Sequence, residues 1–231
     1  MTDELTDGPF DADLDADLEA LAAPPSDDEG PPAGFRLRAD GVYFETEGPD
    51  GESAWRWLCS PIRVLALTRG SDGRGWGRLV EIEDDDGNHH RWAIPAELFA
   101  GEGTDLRREC LRLGLRLSTA RGARARFSDL LQQWTPSTRA TTTERLGWAD
   151  ESCAAFVTGS GRVIGDAGVV FQTEHAPGAA AEMHATGTLD DWRATVGAAC
   201  IGNPLMVLAV SLAFPGALFE PMQAEGGGLH M

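Results

Sequence analysis

Seven arginines fall within twenty residues: Arg107, Arg108, Arg112, Arg116, Arg121, Arg124 and Arg126, with Glu109 the one acid among them and a local charge of +6. A guanidinium is planar, always protonated and rich in donors, so closely spaced arginines can hold phosphate oxygens through paired hydrogen bonds. The chemistry this run suggests is contact with nucleic-acid phosphates. Two other readings stay open. The acidic N-terminal segment could lie on the run and neutralise it, or the run could be ordinary solvated surface.

The other constellations offer less. Asp84-Asp85-Asp86-Gly87-Asn88-His89-His90 is rich in ligand types, but placing Gly87 as the obligatory glycine of a calcium loop puts Ile82 and Ala93 at ligand positions. Adjacent histidines in a strand point to opposite faces, so this stretch reads as a solvated hairpin tip rather than a metal site. Gly159-Ser160-Gly161-Arg162-Val163-Ile164-Gly165 is one residue too long for a dinucleotide fingerprint, and no serine sits in a nucleophile elbow. All 19 basic residues are arginine and none is lysine. A phosphate-binding loop and Schiff-base chemistry both need a lysine amine, so neither comes from these residues. No catalytic residue, cofactor or metal is expected, and the chain reads as non-enzymatic.

The chain has 231 residues and 42% hydrophobic residues, enough for a sizeable core. Its charge of -18 is uneven. Residues 1–30 hold eleven acids and no base, which predicts a disordered acidic tail and linker over 1–34. Leu14, Leu18 and Leu21 form a narrow stripe there that could fold on a basic partner. No secretory signal is visible, and Cys59, Cys110, Cys153 and Cys200 show no close spacing, so four buried thiols in a cytoplasmic protein are expected.

From Phe35 the pattern is that of short strands: 35–38, 41–45, 55–59, 62–68, 76–83 and 90–94, the first two joined as a hairpin through Ala39-Asp40-Gly41. Helices follow over 95–101, 105–113 (Thr104 as N-cap, Gly114 as stop) and 124–134, with a strand candidate at 115–118. On the 105–113 helix Arg108 and Arg112 share a face opposite Leu106, Cys110 and Leu113. A polar connector over 137–144 leads to a second β stretch (147–148, 154–158, 163–164, 168–172). Thr188 with Asp191 makes a capping box for a helix over 189–200, and Asn203-Pro204 opens another over 204–214. Residues 194–219 carry no formal charge, but Gly202-Asn203-Pro204 and Pro215-Gly216 interrupt them, so a buried core helix is expected rather than a membrane span. The fold class is α+β, with regions 35–145 and 146–231 after the tail.

Several landmarks recur in one order: Trp76-Gly77, Asp86-Gly87, Trp92 to Pro95, Gly147-Trp148, Val163 to Gly165, Val170 to Gln172, Gly187-Thr188 with Trp192-Arg193, Gly202-Asn203, and Gly226 to His230. From about residue 35 onward the sequence resembles the domain-of-unknown-function 927 family, found in helicase-like proteins of phages and other mobile elements. The resemblance implies that Gly147, Trp148, Gly187, Trp192, Arg193, Gly202 and Asn203 are motif positions with structural roles. It also implies the N-terminal accessory region of a helicase-type ATPase, since the family's phosphate-binding loop would begin just after Met231. Expected partners are single-stranded nucleic acid, with the tryptophans that are not core as stacking surfaces, and an ATPase subunit or a second copy docked on the apolar C-terminal helix. Two alternatives remain: an acidic interaction protein whose Asp-rich tail mimics a phosphate run, or a truncated gene product without independent function.

Overall fold

The alternation of apolar and polar residues after Phe35 builds two sheets. A computed structural model describes residues 30–47, 51–166, 168–172 and 187–225, so the expectations for the acidic tail, its leucine stripe and the segment around His230 lie outside the described residues. The chain divides into two units, Met1–Thr142 and Thr143–Met231.

In the first unit β1 (Phe35–Arg38), β2 (Gly41–Glu47) and β3 (Ser53–Cys59) form an antiparallel sheet in the order β1-β2-β3. A second sheet runs through β4 (Ile62–Gly70), β5 (Gly77–Glu83) and β6 (His89–Pro95), again antiparallel. On the far side of β4 the structure differs from expectation. The residues read as a polar connector form β7 (Arg139–Thr143), which pairs parallel to β4 with Leu67 opposite Arg139 and Gly70 opposite Thr142. The Thr141-Thr142-Thr143 run has high β-propensity without the apolar alternation that betrays a strand, and its partner lies some seventy residues away.

Two helices cover the sheets. In α1 (Thr104–Arg112) Leu106 and Cys110 are fully buried, and α2 (Ala123–Gln133) buries Phe127, Leu130 and Leu131. Together with Phe44 and Leu58 of the first sheet and Val80 and Ile94 of the second, they form one core. Helix α1 ends in a Schellman motif. Leu115 donates its N–H to the Cys110 carbonyl at 3.0 Å and Gly114 to that of Leu111 at 3.1 Å, with Gly114 at φ 91°. The predicted stop is thus in place. The predicted N-cap is not: Gly103 occupies it at φ 60°, with Thr104 the first helical residue. No side chain caps the start of α1, and the Arg107 guanidinium donates back to the Glu102 carbonyl at 2.5 Å.

The second unit holds the short sheet β8 (Gly147–Trp148), β9 (Ala155–Val157) and β10 (Val163–Gly165), the strand β11 (Val169–Phe171), and C-terminal helices. Helix α3 (Leu189–Trp192) passes through a π-helical turn, Arg193–Gly197, into α4 (Ala198–Cys200); α5 (Pro204–Ala213) follows. The capping box forms as read, with the Asp191 N–H donating to Thr188 Oγ1 at 3.2 Å and the Thr188 N–H to Asp191 Oδ2 at 2.8 Å. Asn203 likewise caps α5 through the Met206 N–H at 3.3 Å. The expectation of a buried core helix at 204–214 is corrected: no residue of α5 is buried, and Leu205 is 66% and Phe214 61% exposed. Among the described residues no helix is long and apolar enough to cross a membrane. The architecture is α+β, strands first, then helices, short strands and C-terminal helices.

Candidate nucleic-acid interface

The arginine run begins on α1, follows the loop after it and ends on α2. Burying Leu106 and Cys110 forces Arg108 and Arg112 outward, and both are exposed, as are Arg116, Arg121, Arg124 and Arg126. Arg107 is half-buried at the helix start, where it also donates to Thr104 Oγ1 at 3.2 Å. A Cβ at Gly103 would lie 3.2 Å from Ser128 Oγ and 3.4 Å from Arg107 Nη1, so the start of α1 sits against the middle of α2. Ser128 donates to the Arg124 carbonyl one turn earlier on α2.

The sequence counted Glu109 alone against these arginines, and folding adds three more acids. Arg108 pairs with Asp105 at 2.6 Å, Arg112 with Glu109 at 2.6 Å, Arg116 with Asp85 at 3.0 Å and Arg126 with Asp129 at 3.9 Å. The local charge of +6 falls to +3 when Asp85, Asp105 and Asp129 are included. Arg121 and Arg124 have no acid within ion-pair distance among the described residues. Arg107 also has no acid partner among the described residues, its donors going to the Glu102 carbonyl and to Thr104 Oγ1, so Arg121 and Arg124 are the exposed guanidiniums of the run left without one.

Asp85 reaches Arg116 because the hairpin tip at 84–88 packs against the end of α1. The carboxylate of Asp84 accepts from His90 Nε2 at 2.8 Å and from the backbone of Asn88 and Asp86, which together hold it well below the usual carboxylate range. Gly114 comes so close that a Cβ there would stand 2.6 Å from Asp84 Cβ. The acids and histidines of this tip therefore organise a turn. Among the described residues no cluster of three or more ligand-type side chains could hold a metal.

The residues at motif positions have structural contacts. Trp148 donates Nε1–H to the Ala217 carbonyl at 2.7 Å and meets Phe156 edge-on at 5.1 Å; Trp192 meets Phe214 at 6.2 Å; Arg193 pairs with Asp190 at 3.1 Å. Gly147, Gly187 and Gly202 take φ of 87°, 79° and 74°, in turns that favour glycine. Of the four thiols expected to be buried, Cys59 and Cys110 are, while Cys153 and Cys200 are half-buried. Burial pushes the Cys110 thiol up to about 12 and raises that of Cys59 as well, so both are inert packing groups.

The sequence offered tryptophans outside the core as stacking surfaces without saying which; the structure puts Trp55 and Trp57 on the outward face of the β1-β2-β3 sheet, a second surface. Register places Arg36 opposite Tyr43, Tyr43 opposite Trp57, and Glu45 opposite Trp55. The Arg36 guanidinium lies 4.1 Å from the Trp55 ring centre and that of Arg38 4.5 Å from the Tyr43 ring. Trp57 Nε1 donates to the Asp40 carbonyl at 3.2 Å. The available signal was the i, i+2 spacing of Arg36 with Arg38 and of Trp55 with Trp57, which puts each pair on one face of a strand.

No curated protein matches this sequence. One solved structure to which it is similar is described as "SCCmec type IV Cch - active helicase", at 15% identity and a TM-score of 0.42; the match covers 70% of this chain and 28% of that one. The family model described as "Domain of unknown function (DUF927)" matches residues 35–231. The chain belongs to the DUF927 family.

Proposed function

We propose that this chain is a non-enzymatic, nucleic-acid-binding module of a mobile-element, helicase-like protein, and that the arginines from Arg107 to Arg126 hold the phosphates. The observation that carries the reading is the exposure of six of these guanidiniums, with Arg121 and Arg124 uncompensated by acids among the described residues. The ion pairs of the other four do not count against it. An exposed pair is worth about 0–1 kcal/mol, so a phosphate competes readily with Asp105 or Glu109 for its arginine. A second contact belongs to α5, whose exposed Leu205, Val207 and Leu212 supply an apolar surface for an ATPase subunit or another copy. The 231 residues contain no lysine, so the reading assigns them no part in nucleotide hydrolysis.

The test is fluorescence anisotropy with a labelled 20-nucleotide single strand across a salt series. The log of the binding constant should fall by roughly 0.7 per phosphate contact for each log unit of salt. Arg121→Glu with Arg124→Glu should remove roughly 1.4 from that slope; adding Arg108→Glu and Arg112→Glu should abolish binding. Unchanged binding by the four-site variant rejects the reading.

A further inference from the structure

We propose that the outward face of the β1-β2-β3 sheet is a stacking platform for the unpaired bases of a single strand, with Tyr43, Trp55 and Trp57 as its rings and Arg36 and Arg38 as their planar caps. This rests on the nucleic-acid reading above and specifies its ligand as unpaired rather than duplex.

Five side chains make the surface, and strand register puts them together. Tyr43 and Trp57 stand side by side on neighbouring strands, and Trp55 lies one step further along β3 on the same face. Two of the three rings carry a guanidinium over them, Arg36 on Trp55 and Arg38 on Tyr43. A base stacks on an aromatic face or on a guanidinium plane with similar ease, so each capped ring is a flat cationic shelf. Arg36 and Arg38 are two residues apart on β1, about 6.6 Å along the strand, an interval that one splayed nucleotide can span. The rings are half-buried and their arginines exposed, so the shelves are held in place yet open to solvent.

Charge selects the kind of ligand. On the face itself Arg36 and Arg38 meet three acids: Asp40, which accepts from Tyr43 Oη at 2.5 Å, Glu45, which accepts from Ser53 Oγ at 2.6 Å, and Glu47, opposite Ser53 at the end of β2. Such a face suits a neutral, flat base better than a phosphate. The phosphates of the same strand have their cations close by. Past β3, Cys59 bridges to Leu117 and Ser118 donates to the Leu58 carbonyl at 2.7 Å, so the loop that carries Arg116 runs beside the sheet. At the other end of β3, Ser53, Glu45 and Glu47 share a groove of about 690 Å³ with Arg126. Rings in the middle with arginines along the flank are the two parts that a single-strand site needs. No aliphatic side chain stands among the outward residues, which are Arg36, Arg38, Tyr43, Glu45, Glu47, Ser53, Trp55 and Trp57, and this favours a strand over the apolar anchor of a protein partner.

The experiment compares three 20-mers on the full chain: oligo(dT), an abasic deoxyribose-phosphate strand, and a duplex. The platform predicts that oligo(dT) binds at least tenfold tighter than the abasic strand and tighter than the duplex, and that it quenches tryptophan fluorescence. Tyr43→Leu and Trp55→Leu should each weaken oligo(dT) by roughly 5- to 150-fold and leave the abasic strand unaffected. If the abasic strand or the duplex binds as well as oligo(dT), the platform is overturned while the phosphate reading stands. If none of the three binds, both fall. If Trp55→Leu instead dissociates a dimer without changing strand affinity, the face belongs to a second copy and the proposal is wrong. The comparison of strands uses the unaltered chain, so it decides the matter even if a variant fails to fold.

Discussion

Replacing Gly114 by alanine tests how the arginine-bearing helix is set against the β5–β6 hairpin. Two costs apply. Gly114 sits at φ 91°, and an L residue forced into the left-handed region costs about 1–2 kcal/mol. The new methyl would also stand 2.6 Å from Asp84 Cβ, an overlap that the half-buried, four-times hydrogen-bonded Asp84 resists, and overpacking of this kind costs about 1–3 kcal/mol. The sum is about 2–5 kcal/mol. Gly122 supplies the control: its φ is 82°, but nothing lies within 4 Å of its Cβ position, so Gly122→Ala has only the first cost. With a urea slope of about 2 kcal/mol per molar, Gly114→Ala should lower the unfolding midpoint by roughly 1–2.5 M and Gly122→Ala by roughly 0.5–1 M. Equal midpoints for the two variants, at unchanged slope, would refute the close approach and with it the account of how Asp85 is brought to Arg116.

Further outcomes follow from single contacts. Thr188→Ala removes half of the capping box and should cost about 1 kcal/mol, read by thermal unfolding, with Thr188→Ser close to the unaltered chain. Asp84→Asn should destabilise at neutral pH. The carboxyl of Asp84 is held low when folded, chiefly by His90 and then by Asn88, so its contribution is present above the unfolded value and lost as pH falls through the folded one; the gap between variant and unaltered chain should close in acid. Leu205→Ser with Phe214→Ser should abolish self-association in light scattering and lower the binding of a hydrophobic dye, since these are the most exposed large apolar residues along α5 and its end.

Much of the first unit was legible because its signals are local. Alternation marks β1 through β6 to within about two residues at each end, and Gly114, Thr188 and Asn203-Pro204 mark helix ends by chemistry confined to a few neighbours. What escaped depends on residues far apart in the chain. The strand Arg139–Thr143 exists because β4 offers it an edge. The arginine run is less positive than it reads because Asp85, 31 residues before Arg116, is carried to it by the hairpin. The aromatic platform needs the register of three strands, each unremarkable alone. Helix α5 failed in the opposite way: composition predicts burial, but composition cannot say whether the cover lies in the same chain.

If the arginine run holds phosphates as proposed, the acidic N-terminus should compete for it. Residues 1–30 carry eleven acids and no base, while the arginine segment, with its ion-paired neighbours, keeps about three positive charges. A segment tethered to the same chain would meet the arginines at an effective concentration on the order of millimolar, enough for a weak attraction to compete. Removing residues 1–30 should therefore tighten single-strand binding most at low salt, with the advantage vanishing above about 0.3 M, where the screening length falls well below 10 Å. Arg121→Glu with Arg124→Glu should erase that advantage, because the tail and the strand would be contending for the same guanidiniums. If deletion leaves strand affinity unchanged at every salt concentration, the tail does not compete for the run. If it instead abolishes the capture of a partner protein, the Asp-rich segment is itself a ligand, and the arginines are not what it serves.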